Sequence, residues 1–301
     1  IVLGMTFHSC LDLEPQDQLG GKNMWTSVND YKQFANTFYS WTRDFSSVVY
    51  DGTHSDKRSD LITYQSYNEF SRGINSIPSS DANYTDNYKH IRRTNLLLQN
   101  AEAYAKPEDI KQYIGEAYFF RAYSYFDLLQ LYGDVIITKK PLDITDPEMK
   151  VKRNDRSEVV DLIIDDLNHA VENLPAFKEL TTEEEGRISK EGAQAFLSRV
   201  ALYEGTWQKS RNGNQNTQRS ANLLDIAAKA ARTVIDAKYG YTFRLFGTDS
   251  ETKILGDSAQ KYMFILENEK SNPAGIKKSS NHEYIFARRH DQVLASIGKN
   301  I

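Results

Sequence analysis

The chain has 301 residues, 40% hydrophobic and 26% charged, which excludes a disordered chain and allows one large domain or two smaller ones. Its 37 basic and 41 acidic residues give a net charge of -4 with no basic stripe interleaved with aromatics, which argues against nucleic acid as the partner. A single cysteine rules out a disulfide framework, and no stretch after the N-terminus approaches the roughly 20 apolar residues of a spanning helix.

The N-terminus is an apolar run, Ile1 to Ser9, that stops at the lone Cys10, after which Leu11-Asp12-Leu13-Glu14-Pro15 turns polar and acidic. A signal sequence stops in this way at its processing site. Residues 1–10 are therefore read as part of a lipoprotein signal sequence, and Cys10 is expected to carry the lipid. Phe7-His8-Ser9-Cys10 resembles a bacterial lipobox, with small Ser9 before the cysteine and Phe7 in place of the usual leucine. The alternative for Cys10 is a buried free thiol acting as a small hydrophobe.

Apolar residues three and four apart then mark a series of helices. Val28-Asn29-Asp30 leads into Tyr31, Phe34, Ala35 and Phe38, a first helix ending near Trp41. From Arg43 to Ser80 the chain is polar, rich in Ser, Asp, Asn and Gly and dotted with tyrosines, a long irregular excursion. A helix from about Asp86 to Ala105 sets Ile91, Asn95, Leu98 and Ala101 on one face. Pro107, followed by Glu108 and Asp109, opens the next, which runs to Tyr132 and stops at Gly133. Ser157 is the expected cap of a helix carrying Val159, Leu162, Ile163, Leu167 and Ala170 to Leu174-Pro175. Ser189, with Glu191 and Gly192, opens a helix running to Trp207. After a loop at 211–216, Leu224, Ala227, Ala228, Ala231 and Ile235 mark a further helix ending near Tyr239-Gly240. Strand-like sequence is confined to 135–138, 262–266 and 283–287, so the fold class is mainly α.

Ala117 to Ala122 and Ala195 to Val200 share the pattern Ala-x-x-x-Arg-apolar. Alanines at that spacing let neighbouring helices approach, as in tetratricopeptide-like helix pairs. Sites of known chemistry are missing. There is no glycine-rich phosphate loop, no His-Glu-x-x-His, no Gly-x-Ser-x-Gly and no cysteine pair, so no catalytic, metal or cofactor site is expected. The six histidines are scattered and read as surface or helix-end residues, and Asp165-Asp166 reads as a solvated helix face rather than a glycosidase carboxylate pair.

Several segments together resemble the starch-utilisation-system D-like (SusD/RagB) outer-membrane lipoproteins of Bacteroidetes. They are Cys10 to Pro15, Tyr88-Lys89-His90-Ile91-Arg92-Arg93-Thr94-Asn95, Gly115 to Tyr123 with its Arg121-Ala122-Tyr123, Leu131-Tyr132-Gly133-Asp134-Val135-Ile136, and Ile188 to Leu197. The resemblance implies a SusD-like α-helical domain over residues 11–301, built on tetratricopeptide-like pairs with long irregular excursions and few short strands. It implies a cell-surface, outer-membrane protein held by its N-terminal lipid, without catalysis. Such a protein captures oligosaccharide or polysaccharide and delivers it to a SusC-like TonB-dependent transporter. Family members run longer, so the chain reads as the N-terminal part of a longer protein.

Sugar recognition pairs a flat aromatic face with a few fixed polar groups. The excursion supplies that mixture, and Tyr64, Tyr67, Asn68, Arg72 and Tyr84 are the expected glycan-binding residues, presented on a loop. Each tyrosine has an alternative as a ring packed on the first helix. The competing function is a tetratricopeptide-type scaffold for protein or peptide, which needs a concave helical face instead of a ring platform.

Overall fold

The computed structural model describes residues 24–42, 72–211, 217–266 and 270–287, and the leader with Cys10 lies outside them. Helix α1 (Val28–Asn36) begins with a capping box in which Ser27 Oγ accepts from the Asp30 amide at 3.3 Å and the Asp30 carboxylate accepts from the Ser27 amide at 2.8 Å. It continues into a 3-10 turn, Thr37–Trp41, and buries Tyr31, Phe34, Ala35 and Phe38, the residues its spacing selects.

Helix α2 (Ala82–Glu102) begins before the expected Asp86, because Asp81 accepts from the Asn83 amide at 2.9 Å and caps a polar first turn that has no apolar periodicity of its own. Helix α3 (Lys111–Tyr132) follows a 3-10 turn at Pro107–Ile110 and stops at Gly133, whose φ of 72° suits a residue without Cβ. Helix α4 (Arg156–Asn173) is capped by Asp155 and not by Ser157. The Asp155 carboxylate accepts from the Ser157 amide at 2.8 Å while Glu158 closes the box on the Asp155 amide at 3.1 Å, which places Ser157 inside the helix. Helix α5 (Lys190–Arg211) opens as expected, with Ser189 Oγ accepting from the Gly192 amide at 3.2 Å, and α6 (Thr217–Ile235) follows.

Helices α2 to α6 each pack on the next in chain order, α2 on α3, α3 on α4, α4 on α5 and α5 on α6, giving a continuous helical stack. Two glycines set the closest approaches. A Cβ on Gly115 of α3 would lie 2.9 Å from Leu174 Cγ and 3.0 Å from the Leu174 backbone nitrogen, and one on Gly205 of α5 would lie 3.0 Å from Leu224. The face of α6 differs from the expected one: Leu223, Ala227, Ala230 and Val234 are buried, Ala228 is exposed and Ile235 is 65% exposed. Leu223-Leu224, Ala230-Ala231 and Val234-Ile235 offer two apolar stripes one residue apart, so the pattern is degenerate. The choice is made by hydrogen bonds from α5, where Ser198 Oγ donates to Ala227 O at 2.9 Å, and to α5, where Ser220 Oγ donates to Gly205 O at 2.8 Å.

Two strand-like segments form no ladder among the described residues. The 262–266 segment ends helix α7 (Ala259–Met263) and its Leu266 joins a small second core with Phe246, Leu255 and Ile276, while 283–287 is irregular. Neither has a neighbouring strand to satisfy its backbone, and apolar alternation without a partner does not make a strand. At the third, Val135 forms an isolated antiparallel bridge with Asn154.

Three buried ion pairs lock the stack. Arg121 of α3 donates to both oxygens of Asp166 on α4, at 2.8 and 2.6 Å, and to Asn95 Oδ1 on α2 at 2.8 Å. Asp166 is thus fully buried and not part of a solvated face, although its neighbour Asp165 is exposed. Asn95 Nδ2 in turn donates to Thr138 O at 3.0 Å, and the Thr138 amide donates to Tyr125 Oη at 2.7 Å, so the network also fixes the segment after α3. Arg187 donates to both oxygens of Glu116 at 2.8 Å and also holds Asn36, while Arg156 donates to Glu204 at 2.9 Å and lies 4.3 Å from the Trp207 ring centroid. Bidentate, charge-assisted geometry of this kind suits arginine over lysine.

Candidate functional site

Tyr64, Tyr67 and Asn68 fall on segment 43–71, outside the described residues; Thr42 and Arg72 flank that segment and are described. On the Thr42 side, Trp41 stacks on His90 of α2 with centroids 4.1 Å apart and planes 14° apart, and meets Phe120 edge-on at 5.9 Å. His90 is therefore a half-buried mid-helix residue, not a surface or helix-end one. Burial holds its imidazole down from 6.5 to about 4, so it is neutral at pH 7.

On the Arg72 side, residues 72–80 are exposed, Arg72 included, and lead to the α2 cap. Asp81 there accepts from Asn83 Nδ2 at 2.9 Å and from the Tyr132 hydroxyl at 2.6 Å. Tyr84 sits in the first turn of α2 and not on a loop, because Asp81 starts the helix ahead of it. Its half-buried ring tilts against Tyr88 at 4.8 Å and meets Tyr132 edge-on at 5.2 Å. Asn87 Nδ2 donates to Asn83 O at 2.8 Å and to Asp127 Oδ2 on α3 at 3.2 Å, and the Tyr88 hydroxyl donates to Ile136 O at 2.8 Å.

Tyr84 and His90 are six residues apart on one helix, about 9 Å of rise. Trp41 thus stands just before the segment that carries Tyr64, Tyr67 and Asn68, and the first half of α2 with the end of α3 holds further rings, carboxamides and carboxylates. Rings with fixed polar groups suit a polyhydroxylated ligand. The sequence reading named Tyr84 and Arg72 here and missed Trp41, Asn87, His90, Asp127 and Tyr132. The four-residue spacing of Tyr84 and Tyr88 was the available signal for a ring pair on one helix face. A second ring group, Phe177, Tyr241 and Phe243, lies beyond the C-terminal ends of α4 and α6 with centroids 4.5 to 5.2 Å apart. Its rings pack tilted and edge-on, as small satellite cores do. Among the described residues no cluster of three metal-ligating side chains occurs, and no helix is long and apolar enough to cross a membrane.

The chain belongs to the SusD-like family, whose model, described as starch-binding associating with outer membrane, matches residues 11–202. It is 27% identical over 213 residues to SusD-like protein P38 of Formosa agariphila, covering 65% of this chain and 39% of that protein. It is 25% identical over 305 residues to SusD-like protein P2 of the same organism, covering 94% of this chain and 57% of that protein. A solved SusD-like protein from Bacteroides fragilis superposes with a TM-score of 0.62 at 22% identity, over 92% of this chain and 48% of that structure. The chain therefore spans about 39% and 57% of the two curated relatives, and the structural likeness speaks to the fold.

Proposed function

We propose that the protein is a non-catalytic glycan-binding lipoprotein of the outer membrane, anchored at the cell surface through Cys10. In this reading it captures an oligosaccharide or polysaccharide and passes it to a SusC-like TonB-dependent transporter. The observation that carries the reading is family membership across residues 11–202, in a family described as starch-binding. The rings and carboxamides of Tyr84, Tyr132 and Asn87, and the Trp41 ring just before the segment bearing Tyr64, Tyr67 and Asn68, support it as groups suited to a polyhydroxylated ligand. One protein of the same fold, 21% identical, has been solved with a xylogluco-oligosaccharide, which makes that sugar a natural probe.

Affinity gels containing starch, laminarin, xyloglucan and other polysaccharides test the binding step. Retardation by at least one of them, with no reducing sugar released, is the expected result. If every gel leaves mobility unchanged, glycan capture by this chain is wrong. Cell fractionation of Cys10→Ser tests the anchor, since the variant should leave the membrane fraction, and retention equal to wild type would remove Cys10 from the account.

A further inference from the structure

The chain between α3 and α4 closes on itself. Val135 bridges Asn154, whose amide donates to Val135 O at 2.9 Å and whose Oδ1 accepts from the Ile137 amide at 2.9 Å. Residues 139–153 form the loop above that neck, an excursion with its ends held together. The loop is pinned to α2, where Asn95 Nδ2 donates to Lys140 O at 3.3 Å and Arg92 donates to Leu142 O. It is also tied across itself, by the Lys140–Glu148 pair at 2.6 Å and by the Asp143 amide donating to the Asp146 carboxylate at 2.8 Å.

A loop held at so many points could turn its apolar side chains inward, yet Ile144 is 92% exposed, Met149 51% and Val151 46%. Exposed Lys150, Lys152 and Arg153 alternate with the last two, and among the described residues no ion pair holds these three cations. Two of the three acids in the loop are already faced by cations, Glu148 by Lys140 and Asp143 by Arg92 at 3.9 Å. The acids at the neck are engaged as well, since Asp134 accepts from the Arg156 amide at 3.0 Å and Asp155 caps α4. Apolar tips and surplus positive charge therefore share one projecting loop.

That combination matches an anionic bilayer. Its headgroup boundary takes apolar side chains singly, while lysine and arginine stems reach up to the phosphates. A protein partner would instead call for a continuous, well-packed patch. Single-stranded nucleic acid would call for rings to stack its bases, and residues 139–153 contain none.

We propose that loop 139–153 is a membrane-contact loop, placing Ile144, Met149 and Val151 in the interface of an anionic lipid surface while Lys150, Lys152 and Arg153 bind headgroup phosphates. The inference rests on the outer-membrane placement in the proposed function and adds a protein contact to the Cys10 anchor, because a lipid chain with a basic patch holds a membrane better than the chain alone.

Co-sedimentation with vesicles tests it, using the full chain carrying Cys10→Ser so that no lipid contributes. This protein should sediment with vesicles of phosphatidylglycerol and phosphatidylcholine in equal parts, less so as salt rises, and should stay in solution with phosphatidylcholine alone. Lys150→Gln with Lys152→Gln and Arg153→Gln should weaken partition about a hundredfold, roughly fivefold for each cation lost. Ile144→Ser with Met149→Ser should weaken it about tenfold. Lys106→Gln with Lys178→Gln and Lys238→Gln, the same change of charge beyond the opposite helix ends, should leave it near the Cys10→Ser value. All these side chains are exposed, so circular dichroism should be unchanged throughout. The proposal falls if anionic vesicles do not retain the protein, or if the two lysine sets weaken binding alike. Full binding by the Ile144 and Met149 variant, with soluble polyglutamate competing as well as lipid, would assign the loop to an acidic polypeptide and also overturn it. Fractionation of Cys10→Ser reads the anchor separately, so a failed loop contact leaves the anchor standing.

Discussion

Arg121 and Arg199 occupy matching positions in two similar helix sequences, yet Arg121 is buried in a bidentate pair with Asp166 while Arg199 is exposed. Breaking a buried pair strands the other charge, so Arg121→Ala should cost on the order of 3–5 kcal/mol. Arg199→Ala should stay within about 0.5 kcal/mol, as exposed substitutions do. Urea unfolding of the two variants measures the contrast, and equal midpoints would refute it. His90 gives a pH test. Its folded value of about 4 lies below the ordinary 6.5, so between those values the unfolded chain binds a proton that the folded chain does not. Stability should therefore be full above about pH 6.5 and fall as the pH drops toward 4. His90→Gln should flatten that part of the profile, and an unchanged slope would show that the Trp41 stack does not hold His90 neutral.

At the scale of elements, helices with one apolar stripe are readable from spacing alone: α1 and the 3-10 turn that continues it bury the four residues their pattern selects, and α3 stops at Gly133. Capping was readable only where nothing competed. Ser157 lost to Asp155 because Glu158 stands at the right distance to complete a box with Asp155, and Asn83 to Thr85 became helical through a cap that periodicity does not register. The burial of Asp166 was hidden because its partner lies on another helix, 45 positions away in sequence. The same limit hid Trp41 on His90 and Tyr84 on Tyr132, contacts that exist only once α1, α2 and α3 are stacked. The close approach of α3 to α4 rests on Gly115. A methyl there meets the Leu174 backbone, which cannot swing aside, so Gly115→Ala should destabilise by about 1–3 kcal/mol. A thermal midpoint equal to wild type would mean that the two helices have room to separate.

For the whole molecule, helices α2 to α6 form one packed stack, and the proposed function puts ligand contact on the segment between α1 and α2. Rigid elements with functional loops divide the work in this way because a loop without core periodicity can be spent on recognition. The most direct measurement of the central claim is polysaccharide affinity-gel retardation of wild type beside Tyr64→Ala, Tyr67→Ala, Asn68→Ala, Arg72→Ala and Tyr84→Ala. Circular dichroism confirms that each variant keeps its helices. Loss of a ring that stacks on the ligand should remove roughly 1–3 kcal/mol of binding, by analogy with stacking on planar bases. The account predicts weakened retardation in at least one tyrosine variant with helicity intact. Full retardation in all five would contradict it and move glycan contact away from the excursion.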